Sequence, residues 1–415
     1  MFRPLAFVST FLLSFGLLCA AENAGGAPVL LISMDGFRWD YCEKFPAETP
    51  TLRHLRETGA SARGLIPVFP SNTFPNHYSI ATGLLPAHHG IVNNQFFEPT
   101  TGLFYYNQPL ANRDGHWWGG EPIWITAVKQ GKVSACSFWP GSEAEIGGRR
   151  ATYWKPYDYS IPFEKRVDEL FGWLKLPEKE RPVVVTFYLE ETNSVGHKFG
   201  PDSPELASAV KELDAKIGVI LRRAADEGVP LNVVIVSDHG MTRVVSEKPL
   251  LLDDYVELAQ VQVECEGPVV GLRPLTGTAD ELVGKLRASL PAEARVCRLE
   301  ELPESFHARD SERYPPVWIL MAPGWRMQKR STYNPQKYGN LRGEHGYDPQ
   351  FPDMRGILIV KGPAFRNDGA VVDAVENIDV YNLLCAAAEL RPVKNDGSDR
   401  LVKTLLRAKG NATQR

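Results

Sequence analysis

Residues 29–36 read Val-Leu-Leu-Ile-Ser-Met-Asp-Gly, an aliphatic run that stops at a carboxylate and a glycine. A run without polar alternation is the pattern of a strand covered on both faces, the usual state in a parallel sheet. Three more runs share it: Val183–Tyr188, Asn232–Ser237 and Gly356–Lys361. Helical patterns lie between them. Glu205–Asp226 places Leu206, Val210, Leu213, Ile217 and Leu221 on one face, and Asn377–Leu390 forms a second helix. Strands alternating with helices predict an α/β fold with a mainly parallel central sheet flanked by helices. Residues 241–340 break this rhythm. Short β-like pieces, Pro268–Leu275 and Val317–Met321, alternate there with helices and charged loops, which predicts a small α+β insertion.

The rest of the 415-residue chain is divided accordingly. Residues 27–240 and 341–405 form the expected catalytic core, 241–340 the insertion or cap, and 406–415 a polar tail. Met1–Ala20 carries one Arg, an apolar run from Leu5 to Leu18, and small residues at Ala20 and Ala21. That is the pattern of a secretory signal peptide; the run is short for a membrane span, so an exported, periplasmic or secreted protein is expected. The formal net charge of −4 excludes a broadly basic, nucleic-acid-binding surface. It leaves small nucleotides open as substrates, because a metal supplies positive charge locally. Five cysteines follow the signal segment, none in a CxxC pair. They leave room for one disulfide, for example Cys265–Cys297, which spacing alone does not establish. Asn411 begins a glycosylation sequon at the very end of the chain.

The chemistry concentrates where the apolar runs end. Val29–Ser33 leads into Asp35, Asn232–Ser237 into Asp238-His239, and Val183–Tyr188 into Glu190, Glu191, Asn193 and His197. In open α/β sheets ligands bind beyond the carboxyl ends of the strands. One Asp after a strand is ordinarily a turn residue; three such ends with imidazoles beside them predict a shared site. His345, flanked by Gly343 and Gly346, precedes the last run. His77, His88, His89 and His116 lie near these segments and rank below; His54 and His307 read as surface residues. A fifth element is Ser71-Asn72-Thr73-Phe74-Pro75-Asn76-His77, which opens a helix running to about Thr82. Thr73 is either a helix cap or, with its hydroxyl at the positive end of the helix dipole, a nucleophile for phosphoryl transfer.

Taken together, Asp35, Thr73-Phe74-Pro75-Asn76-His77, Thr82-Gly83-Leu84, His89 to Asn94, Gly196-His197, Asp238-His239-Gly240-Met241 and His345-Gly346 form an ordered set. With Gly119 to Trp124 and Trp139 to Ser142, that set resembles the nucleotide pyrophosphatases/phosphodiesterases of the alkaline phosphatase superfamily. The resemblance covers roughly residues 28–405, without the flanking domains of the large animal members, like a compact bacterial one. It implies an alkaline-phosphatase-like fold and two zinc ions. Asp35, Asp238, His239 and Thr73 would hold one, and Asn193, His197 and His345 the other. It also implies Thr73 as nucleophile through a covalent threonine intermediate, and Asn94 as donor to a phosphoryl oxygen. Most members carry Asp where this chain has Asn193, so the second site has one anionic ligand fewer; Glu190 or Glu191 are alternatives. The implied reaction is hydrolysis of nucleotide phosphodiester and pyrophosphate bonds with release of nucleoside 5′-monophosphates. Phe74, Tyr153 or Trp154, and Tyr188 would stack the base. The alternatives are a phospholipid-type phosphodiesterase, acting on lysophospholipid or choline phosphodiesters, or an impaired binding protein on the same fold.

Overall fold

The computed structural model describes residues 26–408 except 247, 339 and 340. The expected signal segment Met1–Ala20, the sequon at Asn411 and residues 409–415 of the tail lie outside the described residues. The central sheet has eight strands: β1 (Val29–Met34), β2 (Ala60–Ala62), β3 (Val133–Ser137), β4 (Tyr153–Trp154), β5 (Pro182–Leu189), β6 (Asn232–Val236), β7 (Leu358–Lys361) and β8 (Ala370–Val372), ordered β8-β2-β7-β6-β1-β5-β3-β4. Both faces are covered, as the continuous apolar runs require. On β1, Val29 and Leu31 join one apolar cluster, and Leu30, Ile32 and Met34 the cluster on the opposite face. β6 divides the same way, with Val234 and Val236 against Val233 and Ile235.

The sheet is parallel except for β7, which runs antiparallel to both β6 and β2. The run Gly356–Lys361 is thus buried as expected but reversed in direction, because an unbroken apolar run reports burial on two faces and says nothing of chain sense. Three helices matter below. α1 (Thr73–Thr82) ends at Gly83, α2 (Glu191–Phe199) follows β5 directly, and α3 (Pro204–Asp226) packs Leu206, Val210, Leu213 and Ile217 inward behind its Ser203 cap. The second expected helix is shorter than the pattern Asn377–Leu390, with a 3-10 turn at Asn377–Asp379 and an α-helix at Val380–Ala387.

Within residues 241–340 a separate four-stranded antiparallel sheet forms, in the order Val261–Cys265, Val269–Pro274, Val317–Met321, Ala294–Arg298. The helix Ala279–Ser289 lies on it through Leu282, Val283 and Leu286. This arrangement excludes the Cys265–Cys297 disulfide. The two residues sit on the outermost strands, three strand spacings or about 14 Å apart, twice what a disulfide spans. Cys42, Cys136, Cys265, Cys297 and Cys385 are all free and buried.

Candidate metal centre and substrate cavity

Because β6, β1 and β5 are neighbours, the residues that follow them meet at one edge of the sheet. The chain leaves β1 through Asp35 and turns at Gly36, whose φ of +68° suits glycine. The Gly36 N–H donates to Asp238 Oδ1 at 3.2 Å, binding the first strand end to the third. A Cβ at Gly36 would lie 3.0 Å from Asn193 Cα, so the second strand end is equally close. Thr73 arrives from outside the sheet. Asn76 holds the preceding loop: its Oδ1 accepts the Val68 N–H at 2.7 Å, and its Nδ2 donates to Pro70 O at 3.0 Å and Asn72 O at 2.8 Å. The cap of α1 is Asn72, with Thr73 the first helical residue, so the Thr73 hydroxyl is not spent on capping.

Around Thr73 Oγ1 the donor atoms crowd. His239 Nε2 stands 3.4 Å from it, 3.1 Å from Asp238 Oδ2 and 3.5 Å from Asp35 Oδ1. Among the described residues, neither Asp35 Oδ1 nor Asp238 Oδ2 has a hydrogen-bond partner, although both are buried. The other oxygen of Asp35 accepts the Tyr188 O–H at 2.5 Å. Two buried carboxylates this close repel. Burial, and then the Asp238 charge, raise the Asp35 carboxyl well above its usual range. Burial also opposes the Asp238 charge, but the His239 and His77 imidazoles outweigh it and hold that carboxyl low. A cation among these four atoms would relieve the crowding.

A second set lies beside the first. Asn193 Oδ1 is buried and, among the described residues, unpartnered. His197 and His345 line the same cavity, with ring centroids 4.9 Å apart, and His345 stacks on His239 at 3.6 Å. All three imidazoles are oriented alike: Nδ1 faces a main-chain carbonyl, Gly240 O for His239 at 2.8 Å, Gly343 O for His197 at 3.0 Å and Ser71 O for His345 at 2.9 Å. An Nδ1–H donating there turns each Nε2 toward the site, which is how metal-binding histidines are held. Burial, and then the neighbouring His239 and His197, push His345 well below its usual value, so its imidazole stays neutral. Nitrogen and oxygen donors with orphaned buried acceptors fit zinc.

Above both sets opens a cavity of about 360 Å³ lined by Asp35, Thr73, Phe74, Asn94, Tyr157, Tyr188, Asn193, His197 and His345, among others. Asn94 Oδ1 accepts the Phe74 N–H at 2.8 Å, which leaves its Nδ2 as the donor for the cavity. Phe74 leans on Tyr106 and Trp118 with centroids 5.5 and 6.0 Å away. Of the aromatics expected to flank a base, Tyr188 lines the cavity, though its ring is wedged against His77 and its hydroxyl committed to Asp35. Tyr153 does not line it. Its ring stacks flat on Trp173 at 6.0 Å and its hydroxyl donates to Glu180 O, because β4 turns it toward the helices. Trp154 stands outside as well, beneath the Arg150 guanidinium. Tyr157, which the sequence reading missed, also lines the cavity, beside Phe138 and Tyr188; its hydroxyl donates to Glu190.

Of the lower-ranked histidines only His77 reaches the centre, with Nδ1 3.2 Å from Asp238 Oδ2 and Nε2 2.8 Å from Ser33 Oγ. Its spacing of four from Thr73, one helical turn, was the available signal. His89 is buried against Ser79 and Ile91, while His88 and His116 pair at the surface with Asp396 and Glu98.

A profile of the type I phosphodiesterase / nucleotide pyrophosphatase family matches residues 29–348. An uncharacterized pyrophosphatase/phosphodiesterase of Schizosaccharomyces pombe is 37% identical over 390 residues, covering 91% of this chain and 80% of that protein. A venom phosphodiesterase of Macrovipera lebetinus is 34% identical over 406 residues, 94% of this chain but 47% of its own, so the chain spans about half of that relative. Among solved structures, murine ectonucleotide pyrophosphatase/phosphodiesterase 5 superimposes with a TM-score of 0.85 at 32% identity, covering 92% of this chain and 100% of that one. An inactive threonine-to-alanine variant of that murine protein has been solved in complex with AMP and superimposes equally well.

Proposed function

The chain belongs to the type I phosphodiesterase / nucleotide pyrophosphatase family of enzymes, and from that premise we propose that it hydrolyses phosphodiester and pyrophosphate bonds of nucleotides, releasing nucleoside 5′-monophosphates. One observation carries the reading: a helix-start hydroxyl, free of capping duty, faces a ring of orphaned acceptors beneath an aromatic-walled cavity. Two zinc ions fit the donor sets. Asp35, Asp238, His239 and Thr73 would hold one, and Asn193, His197 and His345 the other. When bound, zinc supplies Lewis acidity, lowering the pKa of the Thr73 hydroxyl and offsetting charge on the phosphoryl oxygens.

The protein's own groups do the rest. Phe74 and Tyr157 clasp the base and so align phosphorus over Thr73. Thr73 Oγ1, giving up its proton to solvent, attacks phosphorus; the ester or pyrophosphate oxygen leaves on the opposite side; and water then hydrolyses the nucleotidyl-threonine, freeing the nucleoside 5′-monophosphate and restoring the Thr73 hydroxyl. Asn94 Nδ2 donates to a non-bridging oxygen as charge builds, held in place by the Phe74 N–H. The murine variant's loss of activity with AMP bound supports a threonine that is needed for the reaction and not for binding. No helix of the described residues is long and apolar enough to cross a membrane. Hydrolysis rates for p-nitrophenyl thymidine 5′-monophosphate and p-nitrophenyl phosphate test the reading. A kcat/KM ratio well above ten in favour of the diester is expected; equal values would defeat it.

A further inference from the structure

Resting on the two-cation reading above, we infer that Glu344 is the anionic member of the second donor set and acts through His197, supplying the charge that Asn193 lacks. The donors facing the second site, Asn193 Oδ1, His197 Nε2 and His345 Nε2, are all neutral, whereas the first set holds two carboxylates. Neutral donors alone supply no fixed charge to offset the cost of desolvating a divalent cation. A carboxylate is nevertheless at hand: His197, Glu344 and His345 bring ligand-type atoms within 4.8 Å of one another. Glu344 Oε1 lies 3.6 Å from His197 Nδ1, the nitrogen whose hydrogen goes to Gly343 O. Negative charge on that side makes His197 Nε2 a stronger donor through its field, while the Nδ1 hydrogen itself stays on Gly343 O.

Glu344 is fixed for this role. Its Oε1 accepts the His345 N–H at 3.1 Å, and its backbone pairs with Thr242, four residues after Asp238, in a short antiparallel ladder. Its side chain is only 15% exposed, so water screens it little. Of the carboxylates next to Asn193 in sequence, Glu190 lines the cavity as well, but both have other partners. Glu190 accepts from the Tyr157 hydroxyl, and Glu191 pairs with Lys216.

Calorimetric titration of the metal-free protein with zinc separates the two equivalents. Wild type is expected to bind two. Glu344→Gln keeps an acceptor for the His345 N–H, and is expected to weaken the second equivalent by about 10–100-fold while leaving the first within about twofold. Asn193→Asp is expected to restore the second equivalent in the Glu344→Gln background, and to gain less when Glu344 is intact. An unchanged second equivalent in Glu344→Gln, an equal loss at both, or no restoration by Asn193→Asp would overturn the assignment. Wild type binding fewer than two equivalents would instead overturn the two-cation reading beneath it.

Discussion

A hydroxyl at the first position of a helix normally meets water; Thr73 Oγ1 instead meets an imidazole nitrogen at 3.4 Å and two carboxylates behind it. Thr73→Ala is expected to lower kcat by at least about 10⁴-fold while zinc stoichiometry and AMP binding persist, and Thr73→Ser to retain turnover. Single-turnover kinetics with AMP calorimetry check this, and substantial kcat in the alanine variant would make water the direct nucleophile. His89, one turn beyond α1, gives a second expectation. Burial pushes its pKa down to about 3 from an unfolded value near 6.5. The unfolded chain therefore binds more protons between those values. Stability is complete above pH 6.5 and declines as pH falls toward 3. Urea unfolding between pH 7.5 and 4.5 should show a shallower decline in His89→Gln than in wild type; parallel curves would contradict it. At this scale the sequence was most legible where chemistry is local. Thr73, Asp35, Asp238 and His239 stand out by residue type and position. His77 stood out less, its one signal being the four-residue spacing from Thr73, and Tyr157 not at all, because nothing in a sequence separates a ring that lines a cavity from one that fills a core.

Elements cross tightly at the second site. A Cβ at Gly343 would fall 2.3 Å from Gly196 O, so the strand before His345 and helix α2 carrying His197 touch backbone to backbone. Gly343→Ala should drive them apart and weaken the second zinc equivalent by about tenfold or more, with the first little changed, as read by calorimetry. The aromatic slot likewise joins two elements, the start of α1 and the 155–159 loop. Phe74→Ala and Tyr157→Ala should each raise KM for nucleotide substrates by roughly 5–30-fold, or about 1–2 kcal/mol per lost stacking face. The effect on bis-p-nitrophenyl phosphate should be smaller, and equal effects would reduce these rings to packing. The β5–α2 and β6 junctions were readable from apolar runs ending in polar clusters. Side-chain direction was not: Tyr153 and Tyr157 share one aromatic segment, and in irregular backbone no period says which ring faces the cavity and which faces Trp173.

For the whole molecule, the donor sets draw together residues from Asp35 to His345, so binding of the proposed cations would add to folding energy. Removing zinc with a chelator should lower Tm by several degrees, since ligand at about 1,000 times Kd contributes roughly 4 kcal/mol. Differential scanning fluorimetry with zinc add-back would measure it; an unchanged Tm would place the ions outside the folded core. The sheet order was the least legible feature, because strand neighbours are set by crossovers and not by local pattern. That order bears on synthesis. β7 lies between β2 and β6, and within the sheet β2 and β8 reach the other strands only through it. A chain emerging amino terminus first therefore carries unpaired strand edges until residue 361 is released. At about 5–20 residues per second that lasts tens of seconds, during which those edges are open to other chains. Nascent chains stalled before residue 357 should stay protease-sensitive and bound by holding chaperones, while chains released past residue 372 close and let go.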